Sequence, residues 1–335
     1  MDIFPPSPQP VLVKWMVDTN RLWPEATQTR QLETVASRAL AALLTDEERA
    51  GVLKYFHVRD AKMALVSQLL KHLVVARCTG VPWRETVLAR DTHGKPVYYK
   101  DQVSGGLQPV IFNISHQAGL VVLAAVYGGE AGDNSALQVG IDVVSPTERR
   151  TRDHQMIAEE SRKSGANSGW AYFVDVHADV LAPSEVRYLK QLSAPTDDDV
   201  RLDNHLRWFY GLWCLREAYV KMTGEALLAE WLKDLEFRSP VPNSPVNGGD
   251  DGLRQGDLET DHDIRFRGVP VGASINVCLR SIGRDFMVCT ALRATPGRDN
   301  VAANTSTSLG LPAADYFDKL QMDDILDFVE RSDRT

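Results

Sequence analysis

The chain has 335 residues, of which 44% are hydrophobic, so it is long enough to bury a sizeable core in about two domains. Its 45 acidic and 37 basic residues give a formal net charge of -8. This charge argues against broad nucleic-acid binding, which needs a concentrated basic surface, but it is compatible with a local basic pocket for a phosphorylated ligand.

The cysteines and the apolar runs indicate the cellular setting. Cys78, Cys214, Cys278 and Cys289 lie singly in apolar stretches and form neither a CxxC pair nor a Cys/His cluster. This pattern argues against zinc and predicts free thiols in a reducing compartment. The N-terminal residues lack the features of a signal peptide, and no apolar run reaches the ~18 residues of a membrane span. We therefore expect a cytoplasmic protein that binds no membrane.

Helices are predicted in the first third of the chain. Thr45 followed by Glu48 forms a capping box, which predicts a helix start. Leucines recur at helical spacing over residues 60–76, and Gly80 ends this second predicted helix.

Two pairs of β-rich runs follow. Residues 120–129 and 136–145 are predicted to pair as a hairpin with a long connection, and residues 273–294 predict a second hairpin that turns near Gly283. Because helices followed by an antiparallel hairpin occur twice, we expect an α+β monomer of two similar halves. In each half a small antiparallel sheet packs on helices.

The predicted halves are residues 1–144 and 145–335. Residues 145–170 are polar and predict a linker, and residues 239–263 are rich in Pro, Gly and Asp and predict a mobile surface insertion. The C-terminal tail is predicted to dock as a short strand and a helix. All three segments are assigned to the second half.

The segment "FYGLWCLREAYVKMTG" looks like a buried helix that nevertheless carries charges. Trp213, Glu217 and Lys221 are each four residues apart and line one stripe of that helix, which Gly224 ends. One explanation is a simple Glu–Lys pair on a half-buried helix, worth only about 0.2–0.5 kcal/mol. The other interpretation is a functional site, and motifs elsewhere in the chain distinguish between the two.

Three other stretches combine polar side chains with apolar surroundings. "GKPVY" fixes Lys95 between a glycine and a proline, and "FNISHQ" is predicted to place His116 just before a strand. "VGIDVV" places Asp142 inside an apolar β run, where an unpaired carboxylate would cost several kcal/mol, so we expect a cationic, metal or hydrogen-bonding partner. Taken singly, each residue also has a structural explanation.

The order of the motifs GKP, FNISHQ, GID and WxxREAxxK resembles that of the 4′-phosphopantetheinyl transferases. The resemblance is to the larger, two-halved type that activates polyketide and non-ribosomal peptide synthetases, and "YFHVRDAK" favours its eukaryotic, fungal-like branch. It covers most of residues 40–235. It implies that coenzyme A donates its 4′-phosphopantetheine arm to a serine of an apo carrier domain. Adenosine 3′,5′-bisphosphate leaves, and the active site lies at the interface between the halves.

The resemblance also implies residue roles. Asp142 and Glu217 match the ligands of Mg²⁺, for which Mn²⁺ is a possible substitute, and Glu217 is also the candidate general base. Lys221 matches a phosphate-contacting lysine, so the predicted catalytic residues are Asp142, Glu217 and Lys221. The residues matched to coenzyme A binding are Arg59, Arg90, Lys95, Ser115, His116, Gln117 and Lys221.

The chain departs from the family pattern at several positions. Arg216 replaces the usual lysine of the last motif, and Val144 stands where bacterial members often have a third metal carboxylate. Bacterial members carry lysines where this chain has Glu48 and Gly51, so the resemblance implies no binding role for these two residues.

Recognition of the carrier is a separate prediction. Carrier proteins are generally acidic, as is this chain, so we expect docking on an apolar patch near Arg149, Arg150 and Arg152. The alternative is that these arginines belong to a solvated linker.

The sequence argues against two other functions. "LREAYVKMTG" superficially resembles the box of the Nudix pyrophosphate hydrolases, but Val220 and Lys221 stand where that box needs two glutamates. A non-enzymatic protein that binds coenzyme A is disfavoured because Asp142, Glu217 and Lys221 all persist.

Overall fold

The computed structural model describes residues 1–101, 106–129, 133–165, 168–192, 199–225, 229–238, 244–247, 249, 251–271, 275–294 and 316–332. In the first half of the chain the elements are β1 (Pro10–Asp18), α1 (Leu32–Val35), α2 (Ser37–Ala41), α3 (Asp46–Leu53), α4 (Val58–Thr79), β2 (Ala89–Arg90), β3 (Pro96–Val97), β4 (Val110–Gln117), β5 (Leu120–Gly128) and β6 (Leu137–Val144). Those that follow are α5 (Arg150–Ser164), α6 (Ser168–Val176), α7 (Pro183–Gln191), α8 (Asp199–Thr223), β7 (Leu235–Arg238), β8 (Gln255–Glu259), β9 (Asp263–Phe266), β10 (Val269–Pro270), β11 (Ile275–Ile282), β12 (Phe286–Ala294), β13 (Asp318–Lys319) and α9 (Met322–Ser332).

The chain forms two compact units, one of Met1–Ile141 with Leu292–Thr335 and the other of Asp142–Ala291. The division falls inside β6 and inside β12. These units differ from the predicted halves mainly at the C-terminal end, because Leu292–Thr335 groups with the first unit. The α+β class, with small antiparallel sheets and helices, is confirmed.

The first unit is built on a four-stranded sheet in the order β13-β1-β5-β4. Strand β5 lies inside the sheet, antiparallel to β1 and to β4, and its residues from Leu120 to Tyr127 are all buried. Burial on both faces suits its uninterrupted apolar run. Helix α4 packs on β4 and β5, with its predicted leucine stripe fully buried, and Gly80 ends it in a left-handed conformation.

The first predicted hairpin is wrong. Strand β5 pairs with β4, which contains the FNISHQ stretch itself, whereas β6 belongs to a different sheet in the order β6-β12-β11-β8. The β4–β5 turn uses Ala118 and Gly119, both with positive φ, the conformation that tight two-residue hairpins require. Apolar runs identify strands but not their partners, which is why the prediction failed.

The second unit confirms the other hairpin and corrects the linker. Strands β11 and β12 are neighbours and turn at Gly283, whose φ is 57°. Most of residues 145–170 is helical, because α5 and the start of α6 lie there. The predicted insertion at 239–263 lies partly outside the described residues, yet Gln255–Glu259 within it pairs with β11 as an edge strand.

The tail forms the predicted short strand and helix. Strand β13 pairs in parallel with β1, and α9 buries Ile325 completely. Arg38 on α2 holds α9 from the side, with one nitrogen 2.9 Å from an Asp327 oxygen and 2.8 Å from a Glu330 oxygen.

A close approach of two helices yields a stability prediction. In α6, a Cβ added to Gly169 would collide with the carbonyl oxygen of Ile157 on α5, whereas one added to Gly51 in α3 would meet no heavy atom within 4 Å. Alanine in a helix is normally more stable than glycine by about 1 kcal/mol. We therefore expect Gly51→Ala to raise the free energy of unfolding, and Gly169→Ala to lower it by about 1–3 kcal/mol, because the α5 backbone cannot yield cheaply.

Denaturant titration of the two single variants measures both effects. Equal stabilisation by the two alanines would show that α5 and α6 do not pack as described.

Candidate active site

Helix α8 presents the charged stripe that the sequence predicted. Its apolar face is buried, and the Gly224 N–H donates to the Val220 carbonyl at 3.0 Å as the chain leaves the helix with φ 85°. The predicted buried residues of this face are Leu212, Leu215, Tyr219 and Met222.

The buried aspartate of β6 has a cationic partner. The Lys221 Nζ lies 2.6 Å from the Asp142 Oδ1, and the Asp142 side chain is only 8% exposed. The expectation that this carboxylate needs a partner is therefore confirmed. Asp142, Glu217 and Lys221 all belong to the unit Asp142–Ala291, whereas the predicted boundary at residue 144 had put Asp142 in the N-terminal half.

Glu217 lies one helical turn before Lys221 and has an unusual affinity for its proton. Burial, and after it the negative charge of Asp142, raise the pKa of Glu217 to about 7, against the opposing effect of Lys221. Near neutral pH this carboxyl group is therefore partly protonated, and a bound cation would favour its ionised form.

These two carboxylates suit a hard divalent cation. Mg²⁺ prefers oxygen ligands and is commonly held by one or two carboxylates together with water and substrate phosphates. Within the described residues no group of three or more His, Cys, Asp or Glu side chains could hold a metal, and the side chain of Val144 supplies no further carboxylate. The carboxylates of Asp142 and Glu217 are ligands of the kind that Mg²⁺ prefers.

Arg216, next to Glu217 in the motif, serves the fold. Its side chain is 2% exposed, and Nη1 donates to both Glu185 oxygens at 2.9 Å and to the Leu235 carbonyl at 2.7 Å, while Nη2 donates to the Leu232 carbonyl. Glu185 also accepts the backbone N–H of Phe237 at 2.8 Å. This network joins α8, α7 and β7, so the arginine of WxxREAxxK is a buried structural cation.

The GKP motif in the first unit forms a small hairpin of β2 and β3. Asp91 organises its turn, because Oδ1 accepts the backbone N–H groups of His93 at 2.9 Å and Lys95 at 2.8 Å. An Arg90 guanidinium nitrogen donates to the Gly94 carbonyl at 2.7 Å. The hairpin thus holds Arg90 and Lys95 close together in the chain, and burial lowers the pKa of Lys95 because it disfavours the charged ammonium.

The FNISHQ residues lie on strand β4, beside β3. Ser115 is buried and His116 is exposed, in keeping with the alternation of side chains along a strand, so Ser115 and Gln117 share the face opposite His116. Asn113 has a structural contact, in which its Oδ1 accepts the backbone N–H of Ile141 at 2.9 Å.

Helix α4 carries Arg59 and two lysines with different environments. Arg59 is 53% exposed, whereas Lys62 of the RDAK stretch donates to the Trp23 carbonyl at 2.9 Å and so anchors a loop. The unusual environment of Lys71 was not predicted from the sequence. Burial lowers the pKa of Lys71 to about 8, and the nearby charge of Arg90 adds to this effect. The available signal was a lysine inside the apolar run "LLKHLVV".

The carboxylate of Glu48 makes contacts within the fold, which agrees with its having no predicted role in binding coenzyme A. The Glu48 Oε1 lies 2.8 Å from the His72 Nε2, and Oε2 completes the predicted capping box by accepting the Thr45 N–H at 3.3 Å. The Glu48 N–H donates in return to the Thr45 Oγ1 at 3.1 Å.

Family models match both parts of the chain. The model of the N-terminal part of 4′-phosphopantetheinyl transferases matches residues 33–128, and that of the 4′-phosphopantetheinyl transferase superfamily matches residues 138–262. The 4′-phosphopantetheinyl transferase 1 of Fusarium mangiferae is 42% identical over 325 residues, which cover 97% of each chain. The chain belongs to the 4′-phosphopantetheinyl transferase family.

Other relatives place this phosphopantetheinyl transferase in the eukaryotic, fungal-like group. The 4′-phosphopantetheinyl transferase NpgA of Emericella nidulans is 32% identical over 86% of this chain and 83% of the relative. The human L-aminoadipate-semialdehyde dehydrogenase-phosphopantetheinyl transferase is 30% identical over 57% of this chain and 51% of the relative. The chain is therefore an enzyme of the transferase class, and not a Nudix hydrolase.

The structure also places the arginine cluster of this transferase. Arg149 and Arg150 lie at the start of α5, so the cluster is not part of a linker. The Arg150 Nε lies 2.7 Å from an Asp203 oxygen, and the Arg149 Nε lies 4.0 Å from an Asp153 oxygen. Two of the three charges are thus partly neutralised.

None of the described helices is long and apolar enough to cross a membrane.

The charges around Glu217 of the phosphopantetheinyl transferase make a signed prediction. Asp142→Asn removes a negative neighbour and should lower the Glu217 pKa, whereas Lys221→Gln removes a positive neighbour and should raise it above about 7. A ¹³C NMR titration of the Glu217 carboxyl carbon in metal-free protein measures both shifts. Shifts in the same direction for the two variants would contradict the described arrangement of charges.

Proposed function

We propose that this transferase moves 4′-phosphopantetheine from coenzyme A to a serine of apo carrier domains through Asp142, Glu217 and Lys221. The carriers would belong to polyketide synthases, non-ribosomal peptide synthetases and aminoadipate reductase-like enzymes. The observation that carries the proposal is the partly buried group of two carboxylates and one lysine. A carboxyl group whose pKa is strongly raised by burial and by a neighbouring charge is typical of functional sites.

The reaction replaces the phosphoanhydride bond of a pyrophosphate with a phosphate ester bond to serine. The serine oxygen forms a bond to the phosphorus that carries pantetheine, the bond from that phosphorus to the bridging oxygen breaks, and adenosine 3′,5′-bisphosphate leaves with that oxygen. Positioning and charge neutralisation are the main demands of such a transfer. Bound Mg²⁺, or Mn²⁺ in its place, would supply charge neutralisation at the pyrophosphate.

The side chains divide the remaining tasks. Asp142 and Glu217 would hold the metal, and the ammonium of Lys221 would contact a phosphate oxygen. Glu217 would accept the proton of the serine hydroxyl, directly or through water. A bound metal would favour the ionised form of Glu217, which is the form that can accept a proton.

The first unit would bind the nucleotide end of coenzyme A. The GKP hairpin, which holds Arg90 beside Lys95, supports phosphate binding there, and exposed Arg59 and His116 are accessible to a ligand. Ser115 and Gln117 are proposed to contribute from the same strand. The likeness of the two halves, an active site at their interface, a monomeric state and a cytoplasmic location stay predictions from the sequence.

The first functional prediction concerns the two carboxylates. Asp142→Ala and Glu217→Ala should each reduce transfer at least 100-fold, because each removes half of the proposed metal ligands. EDTA should stop the wild-type enzyme, and Mg²⁺ or Mn²⁺ should restore it. The assay is the mass gain of an apo carrier domain incubated with coenzyme A.

A matched control is Glu236→Ala, which removes a carboxylate of the same unit that lies 3.2 Å from the Arg238 guanidinium. It should leave turnover unchanged. Near-normal turnover of a folded Asp142→Ala or Glu217→Ala variant would refute the assignment.

The second functional prediction separates donor binding from the transfer step. Arg59→Ala, Lys95→Ala and His116→Ala should each weaken coenzyme A binding about 10- to 100-fold, because a lost charged hydrogen bond costs about 1.5–3 kcal/mol. The control Arg267→Ala removes an exposed arginine that pairs with Asp234, and it should bind normally. Calorimetry with coenzyme A and with dephospho-coenzyme A decides the matter. Dephospho-coenzyme A lacks the 3′-phosphate of coenzyme A. If the wild-type protein bound both donors equally well, Arg59 and His116 would not contact that phosphate.

The carrier surface makes a prediction about salt. Because Arg149 and Arg150 are partly neutralised by Asp153 and Asp203, we expect apolar contacts to dominate docking and the KM for an apo carrier to change little with ionic strength. A steep rise of KM with salt would show that charges dominate instead. If the KM of an Arg149/Arg150/Arg152 triple alanine variant did not rise with salt, the charges that dominate docking would be these three arginines.

A further inference from the structure

A buried thiol lies directly behind the proposed metal ligands. Cys214 is on α8, three residues before Glu217, and is fully buried. Its Sγ lies 3.4 Å from the Asp142 carbonyl oxygen and 3.6 Å from the Met287 carbonyl oxygen. One side chain of α8 therefore contacts both β6 and its neighbour β12 at the residue that supplies a carboxylate.

The thiol acts as a hydrogen-bond donor and not as a nucleophile. A cysteine thiol has an ordinary pKa of about 8.5, and Cys214 is fully buried, which favours the neutral form, so the sulfur keeps its proton. A protonated thiol can donate to either carbonyl oxygen. It is a weak donor, so any effect on the site should be measurable but moderate.

Two elements have to deliver their carboxylates to one ion. Asp142 comes from a strand and Glu217 from a helix, and Mg²⁺ tolerates little deviation from octahedral geometry. A contact that fixes the Asp142 backbone against α8 sets the relation between these two side chains. Residues that orient metal ligands in this way commonly change metal affinity 10–100-fold when they are removed.

We propose that Cys214 is a positioning residue, whose thiol holds the Asp142 backbone against α8 so that both carboxylates face the same ion. The inference rests on the proposed metal role of Asp142 and Glu217. The alternative is that Cys214 only fills space in the core.

The test compares three variants of the full chain. Cys214→Ala removes the donor, and Cys214→Ser replaces it with a hydroxyl of similar size. Cys289→Ala removes an equally buried sulfur from β12, in the same core. For each variant we would measure Mn²⁺ binding by electron paramagnetic resonance, the KM for Mg²⁺ separately from kcat, and thermal unfolding.

We expect Cys214→Ala to weaken Mn²⁺ binding and to raise the KM for Mg²⁺, each about three- to tenfold, since a thiol is a weak donor. Cys214→Ser should recover most of that loss, and Cys289→Ala should leave both values near wild type while lowering stability. Equal metal binding in Cys214→Ala and Cys289→Ala would overturn the inference, as would a serine variant no better than alanine. If Cys214→Ala does not fold, tight Mn²⁺ binding by a Cys214→Val variant, which lacks the donor, would overturn it equally.

The outcome for the metal itself is separate. Unchanged Mn²⁺ binding in Asp142→Ala would mean that the proposed site is wrong. Loss of binding in Asp142→Ala together with normal binding in Cys214→Ala would reject only the positioning role.

Discussion

Three charged side chains of the WxxREAxxK motif on α8 lose contact with water: Arg216 is buried, and Glu217 and Lys221 are partly buried. Charge is costly to remove from water. The three are compensated in different ways. Arg216 is neutralised by Glu185 and by backbone carbonyls, so its cost is offset within the fold. Lys221 is paired with Asp142. The ionised form of Glu217 is disfavoured, and its pKa is therefore raised.

This division separates stability from function along one helix. A buried cation whose charge is neutralised by a buried carboxylate, such as Arg216, has little to gain from a ligand. Glu217 is different, because its ionised form is disfavoured by burial and by Asp142, and a metal ion would reverse that preference. Because the folded-state pKa of Glu217 lies above the ordinary carboxyl value, stability falls as the pH rises from about 4.3 to about 7, and the loss is complete above that. The metal-free protein is therefore less stable in the protonation state suited to binding.

The sequence predicted local features well, because they depend on spacing. The capping box at Thr45, the end of α8 at Gly224 and the buried partner of Asp142 all follow from neighbouring residues and from the cost of burying charge. Pairing over long distances was not predictable in this way. The choice of β4 over β6 as the partner of β5 and the grouping of the tail with the first unit depend on surfaces that no local pattern encodes.

Roles within the site were predictable only in part. The family motif identified Glu217 and Lys221, but nothing in the letters WxxREAxxK distinguishes a structural arginine from one that binds a ligand. That distinction needed Glu185, which lies 31 residues away in the chain. The half-buried lysine at position 71 and the thiol at position 214 were likewise hidden, because their environments come from distant segments.

Strand β13 lies along the outer edge of β1, where it makes a short parallel pairing that the Leu320 N–H extends by donating to the Met16 carbonyl at 2.9 Å. Together with α9 it behaves like a peptide ligand tethered to its own receptor, since covalent attachment gives it a high effective concentration. Without this segment, the backbone groups of β1 would be open to strands of other molecules. A separate peptide of residues 316–332 would then act as a complementing fragment, restoring to a shortened chain both its edge strand and the apolar face that Ile325 covers.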